Sequence, residues 1–151
     1  MIRNATQEDV PVLVDLGRHM TAESPRYKRL TYAPAKLERL FRTLVDSPDG
    51  FVMIAEQDGV PIGGMVGMVV DHWMAEERMA SDLCLYVLPE YRGGMTAVRF
   101  VRRYIEFAQA RGAADISLGV STGSAQIEKL ARFFEMLGLQ KAGYLFEVPH
   151  V

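Results

Sequence analysis

Apolar residues recur along the chain with two different periods, and the alternation between them lays out the elements. Met1 to Ala5 reads as a short strand, and Thr6, with Asp9 three residues on and Pro11 just inside, reads as the cap of a first helix. Val10, Leu13, Val14, Leu16 and Met20 give that helix an apolar face to about Thr21. Ala22 to Tyr32 (AESPRYKRLTY) keeps neither period and reads as a loop. From Pro34 to about Val45 the helical spacing returns at Leu37, Leu40, Phe41 and Leu44, and Ser47-Pro48-Asp49-Gly50 closes it.

The middle of the chain reads as strands. Phe51 to Glu56 and Val60 to Val70 flank Gln57-Asp58-Gly59, the signature of a hairpin, while Gly63, Gly64 and Gly67 predict a bulge or a close backbone approach. Asp71 to Arg78 connects to a strand from Asp82 to Leu88, stopped by Pro89. Past Arg92-Gly93-Gly94 a helix follows with Val98, Val101, Ile105 and Ala108 inside and Arg99, Arg102, Arg103 and Glu106 outside, ending at Gly112. Ile116 to Val120 reads as a strand, Ile127 to Leu137 as a helix, and Tyr144 to Val148 as a last strand, with Phe146 and Val148 as candidate core. The order β-α-α-β-β-β-α-β-α-β gives a mixed α/β (α+β) fold, helices lying on the faces of one sheet. No repeat, linker or low-complexity stretch divides the chain, so 1–151 is expected to be a single domain.

Composition narrows the class without naming it. At 49% hydrophobic and 24% charged residues the chain is an ordinary globular one, and a net charge of −2 with the signs interspersed argues against a nucleic-acid partner. Apolar runs are too short to span a bilayer and the N-terminus has no apolar leader region, so no membrane partner and a cytoplasmic setting are expected. Cys84 is the one cysteine, which rules out an intramolecular disulfide; amid Leu83 and Leu85 it reads as a small core residue or, less simply, a nucleophile. The histidines are single and far apart, so no metal site is expected.

The stretch from Tyr86 to Ala97 carries the clearest chemistry. A strand feeding a helix through two glycines aims several backbone N–H groups at one place, where the helix dipole adds positive charge. Arg92 can pair with an oxygen anion and Thr96 adds a hydroxyl, although two glycines before a helix also suit a plain turn.

The sequences VLPEYRGGMTA and ARFFEMLGL, in this order of elements, resemble the GNAT superfamily of N-acetyltransferases over nearly the whole chain. The resemblance implies a central sheet of about six or seven strands flanked by about four helices, with two parallel strands splayed apart. Its pyrophosphate motif, Q/R-x-x-G-x-G/A, corresponds to Arg92 through Ala97, with Met95 standing where the middle glycine usually does. It implies that Arg92, Gly93, Gly94, Met95, Thr96, Ala97 and Val98 hold the pyrophosphate of acetyl-CoA. Leu85, Tyr86, Val87 and Leu88 would then serve its pantetheine arm and thioester through the backbone. Phe134 falls where relatives carry a tyrosine that protonates the departing thiolate, and is counted with the cofactor residues.

The acid and base are less marked. Asp82 is the carboxylate of the central strand, a general base or a solvated strand-start residue, and strict alternation puts it on the face of Cys84 and Tyr86. Tyr144 is a sheet tyrosine or an alternative proton donor; His19 and His72 are alternative bases. The acceptor pocket is expected between the loops at 22–32 and 71–78, with Glu23, Tyr27, Tyr32, His72 and Trp73 lining it, and acidic groups there would favour a cationic amine. Ser121 to Ser124 could meet the cofactor arm or cap the next helix, Ser124 being the expected cap. The expected function is acetyl transfer from acetyl-CoA to a primary amine, on a small molecule or a protein, by direct attack in a ternary complex. The alternative is a CoA-binding sensor without turnover, and a homodimer is compatible with either.

Overall fold

The computed structural model describes residues 1–123 and 126–149. Strand β1 (Ile2–Asn4) is followed by a capped turn in which the Thr6 N–H donates to Asp9 Oδ2 at 2.7 Å; a short 3-10 turn then precedes α1 (Val10–Glu23). After α2 (Pro34–Asp46) come β2 (Gly50–Gln57), β3 (Val60–Asp71) and β4 (Arg78–Val87), then α3 (Thr96–Ala110), β5 (Ala113–Ile116) and α4 (Ile127–Met136). Among the described residues one mixed sheet forms in the order β1-β2-β3-β4-β5, antiparallel except for the parallel pair β4–β5. The count is five strands, against the six or seven expected.

Burial follows the pleat. Along β2, Phe51, Met53 and Ala55 face α3 with Phe100, Tyr104 and Ala108, while Val52 and Ile54 face α1 and α2 with Leu13, Leu16 and Phe41. Both faces of the sheet are covered, which is why its central strands are almost continuously apolar. The β2–β3 hairpin turns on Asp58 and Gly59, both at positive φ (52° and 77°), as a two-residue turn matched to strand twist demands. All three glycines in β3 mark close approach: a Cβ on Gly63 would sit 2.5 Å from Tyr86 O of β4, one on Gly64 2.7 Å from Leu13 of α1, and one on Gly67 2.9 Å from the Tyr104 ring of α3.

Three sequence expectations change. The pairing of β3 with β4 passes from Val66–Cys84 to Gly67–Asp82, skipping Leu83. That bulge reverses the alternation, so Ala80 packs on the α3 side while Cys84 and Tyr86 pack on the α1–α2 side. Asp82 therefore does not share the face of Cys84 and Tyr86. Secondly, the strand expected at 116–120 is β5 at Ala113–Ile116; the chain leaves the ladder just as it reaches the residues meant to form it. Thirdly, Tyr144 to Val148 forms no strand. Tyr144, Leu145, Phe146 and Val148 are 78%, 68%, 88% and 83% exposed, so Phe146 and Val148 are not core. Their alternating pattern shows which side chains could share a face, but alternation alone does not supply a partner strand, and 144–148 pairs with none among the described residues. Ser124, the expected helix cap, lies outside the described residues.

Candidate active site

The divergence of β4 from β5 builds the site. The two strands pair from Arg78–Ala113 to Ala80–Ile116, and Ser117 N–H still reaches Ala80 O at 3.1 Å. One step on, the ladder is broken by a side chain: Gly119 N–H donates to Asp82 Oδ1 at 3.0 Å, in place of a backbone carbonyl. Beyond this point β4 runs to Val87 with no strand paired to its β5 side among the described residues, and the two chains form a V whose apex is Asp82 and Gly119. Burial raises the carboxyl of Asp82 above its usual range, against the Gly119 N–H, which favours the charged form. Tyr104, fully buried in α3, braces the same apex by donating to Ser117 O at 2.9 Å.

At the open end, β4 passes through Pro89–Tyr91 into the turn before α3. Gly93 has φ +95°, and a Cβ at Gly93 or Gly94 would find nothing within 4 Å, so the surface of the turn is open. Met95 occupies the N-cap position of α3 and makes no side-chain cap hydrogen bond. The first-turn N–H groups, those of Thr96, Ala97 and Val98, thus face outward without an intrahelical partner, with the positive end of the dipole behind them. These are donors of the kind and direction that a phosphate ester accepts.

Arg92 pairs with an oxygen anion of the protein itself. Its Nε donates to Val87 O at 2.7 Å, and its Nη1 and Nη2 grip Glu23 Oε1 and Oε2 at 2.6 and 2.9 Å, above the Tyr86 ring. Tyr86 Oη donates to the same Glu23 carboxylate at 2.8 Å. The Arg92 hydrogen bonds hold Glu23 below the usual carboxylate range, while burial and then Glu23 push the Tyr86 hydroxyl up to about 12. Leu88 N–H is taken by Ile62 O at 2.8 Å, so the Val87 carbonyl and the Leu88 amide are already committed within the protein.

The end of α1 also reaches the other arm of the V. Ser24, 2% exposed, donates through Oγ to Thr122 O, Arg26 N–H donates to Thr122 O at 3.2 Å, and Arg26 Nη1 donates to Ser121 O at 3.0 Å. Residues 23–27 thereby strap both arms together. Periodicity gives no signal for this strap, because its contacts span about a hundred residues; only the density of polar residues after α1 hints at it.

Beneath β4, on the α1–α2 side, lies a cleft of about 530 Å³. Leu83, Cys84 and Tyr86 form its β4 wall, Leu13, Leu16 and Met20 come from α1, and Leu37, Leu40 and Phe41 from α2. Tyr27 and Tyr32 also line it. Glu23 belongs to the clamp on Arg92 and Tyr86, and His72 and Trp73 lie elsewhere: His72 is 3.7 Å from Asp115 of β5, and Trp73 is 81% exposed beside it. The Cys84 thiol is pushed up to about 12 by burial, which keeps it protonated and unsuited to covalent attack. The Tyr144 ring packs on Phe146 and under Lys141, and Phe134 is buried with its ring 5.6 Å from Phe133. Among the described residues no His, Cys, Asp and Glu cluster is placed to hold a metal ion, and no helix is long and apolar enough to cross a membrane.

A model of the acetyltransferase (GNAT) family matches residues 17–138. No curated protein matches the chain. Among solved structures the fold is similar to a transcriptional regulator from Bacillus halodurans C-125 (22% identity, TM-score 0.77, 99% of each chain covered). It is also similar to glucosamine-6-phosphate N-acetyltransferase from Arabidopsis thaliana (14%, TM-score 0.76, covering 99% of this chain and 97% of that one). A predicted acetyltransferase with acetyl-CoA from Clostridium acetobutylicum aligns at 19% identity and TM-score 0.76, covering 99% and 95%.

Proposed function

The chain belongs to the acetyltransferase (GNAT) family, and from that premise we propose that it transfers an acetyl group from acetyl-CoA to a primary amine, both substrates being bound together. The observation that carries this reading is the unpaired edge of β4 running directly into an uncapped helix N-terminus. Acetyl-CoA supplies an acetyl group activated as a thioester and a thiolate that leaves readily, its thiol pKa being of the ordinary order of about 8–9.

The chain's own residues divide the remaining work. The backbone N–H groups from Gly93 to Val98 hold the pyrophosphate, and the positive φ of Gly93 turns the chain so that they converge. The backbone groups of Leu85 and the N–H of Val87, which the pairing with β3 turns toward the open edge, hold the amides of the arm as an added strand would. Arg92 and Glu23 are positioning residues: each fixes the other, and together they set the angle between β4 and the turn. Asp82, at the apex of the V, takes a proton from the acceptor ammonium through water, and the neutral amine so formed attacks the thioester. Its raised carboxyl is a better match to an amine near neutral pH than an exposed aspartate would be.

The test is acetyl-CoA-dependent thiol release over a panel of primary amines, with the acetylated product identified by mass. Release that depends on an amine supports transfer; silence with every amine, in a preparation shown to bind acetyl-CoA, refutes it.

A further inference from the structure

Resting on this reading of the site, we infer that the acceptor amine is carried on an apolar body, an arylalkylamine or alkylamine, which fills the cleft between α1, α2 and β4. Leu30, Leu40 and Leu83 are 52%, 39% and 45% exposed, and all three line this one cleft beside the buried Leu13, Leu16 and Phe41. Apolar surface gathered in a concavity is what a ligand covers. At about 530 Å³ the cleft falls within the usual small-molecule range of about 300–1,000 Å³.

The polar groups of the lining point the same way. Tyr32 Oη donates to Val14 O, Thr21 Oγ1 to Gly17 O at 2.9 Å, and Tyr86 Oη to Glu23; Tyr27 Oη accepts from Arg26 Nη1 at 3.2 Å. These four hydroxyls are engaged within the protein, and among polar lining groups Thr31 adds one further hydroxyl, so the wall offers few donors for a sugar or a polyol. Lys36 is the charged residue of the lining, and it is a cation. The nearby Glu23 has one oxygen on Arg92 and the other on both Arg92 and Tyr86. A polyamine, a lysine chain or an aminosugar would give up the water of several polar groups here for carbon walls and a like charge, whereas an aryl or alkyl body with a single amine gives up that of one. Leu83, Cys84 and Tyr86 belong both to this wall and to the half of β4 that borders the V, so the occupant's amine end is delivered to the strand where transfer takes place.

Calorimetric titration of the full chain with phenethylamine and with spermidine, each with and without CoA, tests this without relying on turnover. Phenethylamine is expected to bind at least about 10-fold more tightly, the discrimination that one or two methylenes in an apolar pocket give. Leu40→Glu, at a half-exposed position that tolerates a charge, is expected to weaken phenethylamine by at least about 10-fold. Equal or tighter binding of spermidine, or indifference to Leu40→Glu, overturns the inference. Acetylation of spermidine but not phenethylamine would overturn it and leave the acyl-transfer reading intact. Phenethylamine binding in a protein that ignores CoA would do the reverse. A dimer that holds the cleft closed and binds no amine until Leu40→Glu dissociates it would also overturn it, assigning the cleft to a second copy.

Discussion

Replacing Glu23 tests whether the strap across the V is a structural clamp. Its carboxylate accepts three hydrogen bonds, at 2.6 and 2.9 Å from Arg92 and 2.8 Å from Tyr86. Both side chains of the ion pair are 40% exposed, so solvent screening limits the pair to about 0.2–1 kcal/mol, with the two-pronged geometry favouring the upper end. The Tyr86 hydrogen bond adds about 0.5–1.5 kcal/mol. Glu23→Gln keeps the shape but breaks the fork, so about 1 kcal/mol of stability should be lost; Glu23→Ala should lose about 1–2 kcal/mol, a fall of about 2–8 °C in Tm for a domain of this size. The pH dependence carries a sign. Arg92 lowers the folded carboxyl below its usual 4.5, so the contribution is complete above that value and disappears as pH falls through the lower, folded one. The gap between wild type and Glu23→Gln should be full at neutral pH and close below about pH 4. Thermal melts by circular dichroism at both pH values, with Arg92→Met completing a double-mutant cycle, measure it. A Tm unchanged by Glu23→Gln at neutral pH, or a gap that persists undiminished in acid, would refute the clamp.

Other predictions follow from single contacts. Asp82 has a raised folded carboxyl, so its ionisation costs stability progressively as pH rises from its unfolded value through its folded one; Asp82→Asn, which keeps an acceptor for Gly119, should melt no lower than wild type at neutral pH, while its amine-dependent rate falls by about 10²–10⁴. Asp82→Ala also strands the Gly119 N–H and should be about 1 kcal/mol less stable than Asp82→Asn by chemical denaturation. Gly67→Ala sets a Cβ 2.9 Å from the Tyr104 ring and 3.0 Å from Ser81 O, so urea unfolding should show a loss of about 1–3 kcal/mol. Phe146→Ser, at 88% exposure, should change stability by less than about 0.5 kcal/mol; a fall of several kcal/mol would mean that 144–148 is packed as a strand after all.

The sequence made the layered frame readable because period and punctuation agreed there. The β2–β3 hairpin turns on the expected Asp58-Gly59, α1 buries Val10, Leu13, Val14 and Leu16, and α3 begins where the glycines stop. Reading failed where one residue shifts a whole pattern or where contacts are remote. A period of two assumes an unbroken pleat, and the skipped Leu83 turns Asp82 to the other side of the sheet. The pattern YLFEV encodes a face but not an available edge. Arg92 does meet an oxygen anion, but that partner, Glu23, is 69 residues away and leaves no trace in local spacing. Of the loop residues expected around an acceptor, Tyr27 and Tyr32 line the cleft beneath β4, whose other walls come from the inner flanks of α1 and α2.

The central claim is that the open edge of β4 and the turn from Gly93 to Val98 hold acetyl-CoA. Isothermal titration of acetyl-CoA into wild type and into Gly94→Glu tests it most directly, because Gly94 stands in open space and the variant should fold with an unchanged melting curve. Binding by the wild type, weakened at least tenfold by a carboxylate set where the phosphates would lie, is the predicted result. Absence of binding to the wild type, or equal affinity in the variant, would contradict it.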